Sequence, residues 1–223
     1  MFRPLQPNQE VRIHRGNLPH WRQDGVTYFV TGRLGDSMPR TKLTQWQHDR
    51  KKFLACHKVS NPEDLEEKLR NGFHARFTKK WHDWLDAGFG ECLLRRTEIR
   101  DLVLAKLIAD GDDRRPYALD AWVIMPNHFH AVLTPTGAKL GDILRDWKGG
   151  SAHAINRALD RKGSLWQSEP YDHILRSEEQ LCHYRRYIAD NPPKANLKAD
   201  EYAAGIGNRT WESAPALKKW LEL

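Results

Sequence analysis

The sequence predicts an α+β protein, an antiparallel sheet of about five strands with helices packed mainly on one face. Three observations lead there. A β-branched and aromatic run, Val26–Leu34 (VTYFVTGRL), stands early in the chain. Two more apolar runs, Tyr117–Met125 and His128–Thr134, are separated only by Pro126-Asn127 and read as strands joined by a tight turn. Segments of helical spacing fill the intervals, so the order is strand, helices, hairpin, helices.

Taken in order, the first 24 residues are polar, carry Pro4, Pro7, Gly16 and Pro19, and read as an irregular arm. The first strand ends at Gly35-Asp36. From Thr41 to about His57 the composition is helical, and it stays charged and aromatic through Trp84 with one break at Asn61-Pro62. A second helix runs from Thr97 to Ala109, opened by Thr97 and closed by Asp110-Gly111. Leu140–Leu159 has helical spacing interrupted by Gly149-Gly150, and Leu165-Trp166-Gln167 is a short extended piece. Ser177–Asn191 is the clearest helix: Ser177 with Gln180 makes a capping-box start, and Pro192 and Pro193 stop it. Trp211, Trp220 and Leu221 suit a last packed helix. There is no internal repeat or low-complexity tract. The organisation is an arm (1–24), one main domain (25–200) and a tail (201–223), possible as a helix.

The chain has 223 residues, 39% of them hydrophobic, which supports a real core and argues against wholesale disorder. Its 36 Lys+Arg against 29 Asp+Glu leave a charge of +7, which favours a polyanionic partner such as nucleic acid. Cys56, Cys92 and Cys182 are odd in number and widely spaced, which excludes a disulfide framework or zinc ribbon and fits a reducing compartment. The start lacks a signal-peptide core, and no apolar run approaches the roughly 20 residues of a membrane span. These features predict a soluble, cytoplasmic protein with no membrane partner.

Chemistry enters with Met125-Pro126-Asn127-His128-Phe129-His130. Strand side chains alternate faces, so His128 and His130 project together while Phe129 enters the opposite layer. Two imidazoles on one strand face form part of a metal site and need a further ligand from elsewhere. In the Ser177–Asn191 helix, Leu181, Tyr184 and Ile188 form a buried stripe, whereas His183, Tyr187 and Asn191 form a second one. Tyr184 therefore reads as core. If the second stripe faces the histidines, Asn191 is a third ligand and Tyr187 a nucleophile beside a bound phosphate.

With these residues in place, the chain resembles the HUH endonuclease superfamily, named for a His-hydrophobic-His strand. Within it, the chain looks like the single-tyrosine transposases, on the REP-associated tyrosine transposase branch. The resemblance covers roughly Gly25 to Leu197. It rests on Trp122–His130, Tyr187–Pro192, Gly32-Arg33-Leu34 and Leu165-Trp166-Gln167, with Lys148 and Ser151 between. It implies a ferredoxin-like or RRM-like sheet, Tyr187 as nucleophile, His128 and His130 as metal ligands, and Asn191 at the third-ligand position. One departure concerns the turn after the ligand. The usual motif continues Asn-Pro-Val-Lys/Arg-Ala-Gly, but this chain reads Asn191-Pro192-Pro193-Lys194-Ala195-Asn196.

The expected activity is metal-dependent cleavage and rejoining of single-stranded DNA beside hairpins through a 5′-phosphotyrosine, using Mg²⁺ or Mn²⁺. Expected DNA-binding residues are Arg33, Lys148, Ser151, Arg185, Arg186 and Lys194. The expected partner is single-stranded or hairpin DNA, bound by a monomer or homodimer. Two other readings fit the same motifs: a domesticated hairpin-binding protein without catalysis, and a rolling-circle-type nickase.

Overall fold

A computed structural model describes residues 2–15, 19–60, 62–108, 116–211, 216 and 219. In chain order the elements are β1 (Arg12–Arg15), β2 (Pro19–Arg22), β3 (Tyr28–Arg33), α1 (Arg40–Cys56), α2 (Glu67–Asp86), α3 (Thr97–Leu107), β4 (Tyr117–Ile124), β5 (His128–Pro135), α4 (Leu140–Ala158), β6 (Tyr171–Ile174), α5 (Glu178–Lys194), β7 (Ala203–Ile206) and β8 (Arg209–Trp211). They divide into two compact units, Met1–Gly35 with Cys92–Leu223, and Asp36–Glu91.

The larger unit is built on a six-stranded sheet in the order β6-β3-β5-β4-β7-β8, every pair antiparallel. The run β3-α3-β4-β5-α4-β6 has the β-α-β-β-α-β order of a ferredoxin-like core. The hairpin β7-β8 extends that core on the β4 side.

Every residue of β3 and β5 is buried, because both faces of the sheet are covered. Val30, Trp122, Ile124, Phe129 and Leu133 form one core with Ile99 and Val103 of α3 and Ile143, Trp147 and Ile155 of α4. Phe29, Val123 and Val132 form a second core with Leu181, Ile188 and Ala189 of α5. Two helices thus lie on one face and α5 lies on the other. The alternation of β5 sorts Phe129 from His128 and His130 between these layers, as its period of two predicts.

Several local expectations change. The arm is not irregular throughout: β1 and β2 pair, and the backbone around Arg3 and Leu5 bonds Thr27 and Leu175 of the larger unit. The tail contributes two strands, with β7 on β4, rather than a helix up to Trp211; Trp220 and Leu221 lie outside the described residues. Likewise Ala109 and Asp110-Gly111 lie outside them, and α3 is described to Leu107. Gly149-Gly150 does not interrupt α4. Each glycine costs a helix about 1 kcal/mol, less than the flanking Trp147 and Ile155 gain by full burial.

Nor do the prolines stop α5. Pro192 and Pro193 sit inside its last turn. The end is closed beyond them by Leu197 N–H to Pro192 O at 3.1 Å and Asn196 N–H to Pro193 O at 3.0 Å, a Schellman pattern. Asn196 takes φ 52° at the left-handed position. Asparagine is among the few non-glycine residue types enriched in that conformation, so the turn forms without the usual glycine.

The smaller unit consists of α1 and α2 joined through a single turn at Pro62–Asp64. Its core is aromatic: Trp46 and Trp81 rings lie 4.8 Å apart, and Phe73 and Phe77 rings 4.6 Å apart. The break expected near Asn61-Pro62 falls at this turn, but the separateness of the unit is a tertiary property.

Candidate metal and nucleophile site

The site is assembled on the α5 face of the sheet. His128 and His130 are fully buried, with ring centroids 4.6 Å apart. Two neighbours orient them. His128 Nδ1 lies 2.7 Å from Asn127 Oδ1. An amide oxygen only accepts, so Nδ1 carries the proton and Nε2 holds the lone pair. His130 Nδ1 lies 2.7 Å from Thr31 Oγ1, its cross-strand partner on β3. Nε2 of His130 lies 3.5 Å from the Tyr187 hydroxyl. Each ring thus has Nδ1 engaged by a neighbour, and Nε2 is the nitrogen that could hold a metal.

Helix α5 begins where the sequence places it: the Ser177 hydroxyl accepts from Gln180 N–H at 3.3 Å. It packs on β4 and β5, and this brings Tyr187 over the pair, its ring 5.1 Å from that of His130. Asn191, one turn further on, is fully buried, and neither its Oδ1 nor its Nδ2 has a hydrogen-bond partner among the described residues. Leaving such an amide unsatisfied costs about 1–3 kcal/mol per group, so a buried asparagine in this state calls for a ligand. Its stripe-mate His183 is exposed.

Both tyrosines are half-buried against the second core, and they differ in what they touch. Tyr184 stacks on Phe29 at 4.1 Å, and burial, with Tyr171 adding to it, raises its phenol above the usual range. Tyr187 meets the same ring edge-on at 5.8 Å and is half-buried. Phe29 also stacks on His130 at 5.3 Å. Phe29, Thr31 and Asn127 are thus supporting residues that sequence reasoning missed. The cross-strand register of β3 and β5 identifies Thr31, and no pattern within a single segment does.

The expected DNA-binding residues do not form one group. Lys194 is exposed, with Nζ 5.9 Å from the Tyr187 ring centre, and Arg186 is also exposed. Arg33 pairs in register with His128. It is buried, and desolvation lowers its guanidinium to about 10. Lys148 donates to Gln167 O at 2.6 Å and Ser168 O at 2.8 Å; burial first, and Arg33 second, lower its ammonium to about 8. The other two are engaged within the fold. Ser151 is buried, donates to Trp147 O at 2.6 Å and accepts from Trp166 Nε1 at 3.0 Å, which makes it a packing residue. Arg185 is held bidentately by Asp120 at 2.7 and 2.6 Å.

A ferredoxin-like core presenting a His-hydrophobic-His strand to a tyrosine helix defines the class of protein to which the chain is similar. In particular, 82 residues, 36% of this chain, are 30% identical to the REP-associated tyrosine transposase of Escherichia coli (strain K12). The matched segment spans about half of that relative, 47% of its length. A solved structure of a REP-associated tyrosine transposase bound to a REP hairpin aligns with a TM-score of 0.45 and 19% identity, over 82% of this chain and 76% of the other. No family model matches the chain. Among the described residues no helix is long and apolar enough to cross a membrane.

Proposed function

We propose that the protein is a metal-dependent, single-tyrosine nuclease-transposase that cleaves and rejoins single-stranded DNA beside hairpins. The observations that carry this reading are the paired His128 and His130 rings, the Tyr187 hydroxyl 3.5 Å from His130 Nε2, and the buried, unsatisfied Asn191 one turn further along the same helix. Two imidazole nitrogens and an amide oxygen suit a divalent cation, Mg²⁺ or Mn²⁺. His128, His130 and Asn191 would hold it. When bound, it would supply polarisation of a phosphate and neutralisation of developing charge.

The chain's own residues do the rest. Asn127 and Thr31 engage Nδ1 of the two rings, which leaves Nε2 of each for the cation. The Tyr187 oxygen attacks a backbone phosphorus, forming the P–O(Tyr) bond as the P–O3′ bond breaks. The phenolic proton ends on the departing 3′-oxygen, leaving a 5′-phosphotyrosine and a 3′-OH. Reversal with another 3′-OH rejoins the strand, and the covalent link conserves the bond energy. Lys194, near the Tyr187 ring, contributes positive charge where the phosphate docks.

The test is a denaturing protein gel after incubation with a labelled hairpin carrying single-stranded flanks and Mg²⁺ or Mn²⁺. A covalent adduct that disappears in Tyr187→Phe and persists in Tyr184→Phe supports the reading. Cleavage without an adduct, surviving Tyr187→Phe, overturns it in favour of hydrolysis by water.

A further inference from the structure

The unit Asp36–Glu91 plays no part in the chemistry above, yet α1 carries a distinctive surface. At about 100° per residue, Trp46 and Leu54 lie buried on one side of the helix, with Leu43, Phe53, Asp49, Arg50 and Lys42 partly buried around them. The opposite half of the circumference is exposed and carries Arg40, Thr44, Gln47, His48, Lys51 and Lys52, with no acidic residue. The one acid of α1, Asp49, is on the inner half and bound to Lys80 at 2.9 Å.

The cations of α1 fall into two sets. Lys42 lies 4.3 Å over the Phe89 ring, and Arg50 lies 4.5 Å over Trp46, so both are engaged by rings of their own unit. Arg40, Lys51 and Lys52 are exposed and make no ion pair among the described residues. They span about 18 Å of helix at 1.5 Å per residue, a length that covers several backbone phosphates of a duplex strand. The hydroxyl and carboxamide side chains between them are phosphate hydrogen-bonders. The face carries no Phe, Tyr or Trp, and its one ring is that of His48, a smaller stacking platform for unpaired bases than those side chains offer.

We propose that this face of α1 is a docking surface for the phosphate backbone of double-helical DNA, such as a hairpin stem, contacted without base readout. This rests on the reading of the protein as a DNA-processing enzyme.

The test compares the full chain with Arg40→Gln/Lys51→Gln/Lys52→Gln. A control variant, Lys68→Gln/Lys162→Gln/Arg209→Gln, removes equal charge elsewhere. Binding is measured against salt, on a long-stemmed hairpin and on a short unstructured single strand. The expected result is a selective loss on the long stem, about tenfold or more near 0.1 M salt. The slope of log K against log salt should become shallower by about 2–3, close to 0.9 per lost duplex contact. Binding to the short single strand should stay unchanged, and the control variant should behave as wild type. An unchanged slope on the stem, or an equal loss on the single strand or in the control, overturns the proposal while leaving the enzymatic reading intact. If the unmodified chain binds neither probe, both fail together.

Discussion

Tyr184 and Tyr187 are close in sequence and differ in environment. The first is stacked on Phe29 with its phenol raised by burial; the second reaches His130 Nε2 at 3.5 Å. Asn191 offers a test of the proposed metal site that does not depend on catalysis. Asn191→Leu removes two unsatisfied polar atoms at nearly constant volume, so the metal-free variant should be as stable as wild type or more so, by up to about 1–3 kcal/mol. Mn²⁺ should raise the Tm of the wild type and leave that of the variant unchanged. Thermal melts with and without metal check both outcomes. Thr31→Val should leave the fold intact and weaken metal binding by about 10–100-fold, measured by titration, because it releases the His130 ring. Gly32 is constrained differently: a Cβ there would meet the Phe129 ring at 2.3 Å. Gly32→Ala should cost about 1–3 kcal/mol in a denaturant melt. That explains on packing grounds why glycine precedes Arg33.

At the scale of elements, a charge cluster ties β2 to β6. His20 Nδ1 bonds Asp172 Oδ1 at 2.5 Å, His20 Nε2 bonds Glu169 at 2.9 Å, and Arg22 pairs with Asp172. Burial alone would lower His20, but the bonds and charge of Asp172 and Glu169 outweigh it and raise the imidazole above 6.5. A raised histidine contributes stability that is complete below its unfolded value and is lost as pH rises through its folded value. Protection of the β1–β2 amides from hydrogen exchange should therefore be greatest below pH 6.5 and fall above it. His20→Gln should remove that dependence. Asp172 is shifted the other way: burial opposes, but the bonds from His20 and Arg22 lower its carboxyl. Its contribution is present above about pH 4 and fades below it.

For the whole molecule, the strand pair β7-β8 carries the sheet past residue 200. Ala203–Ile206 pairs with β4, and Ala204 is fully buried. A chain truncated after Asp200 should expose the β4 edge, lose stability and aggregate, as light scattering during a thermal ramp would show. Charge acts at the same scale. Lys148, lowered to about 8, is protonated below that pH and neutral above it. If it contacts DNA, affinity should weaken as pH rises through about 8, and Lys148→Arg should flatten the profile.

The sequence by itself determined the α+β class, the shared face of His128 and His130, and the capped start of α5. Each of these is a periodicity or a cap, set by residues near one another in the chain. Only the tertiary structure decided the rest. The register of β3 on β5 chose Thr31 as the partner of His130, and packing on α3 and on the sheet carried α4 through its glycines and left Ser151 inside the core. A Schellman turn extended α5 past two prolines. The pairing of β7 on β4 placed the end of the sheet beyond residue 200. These outcomes depend on contacts between distant segments, whose burial outweighs the local preferences of glycine, proline and polar residues, and no single stretch of sequence displays them.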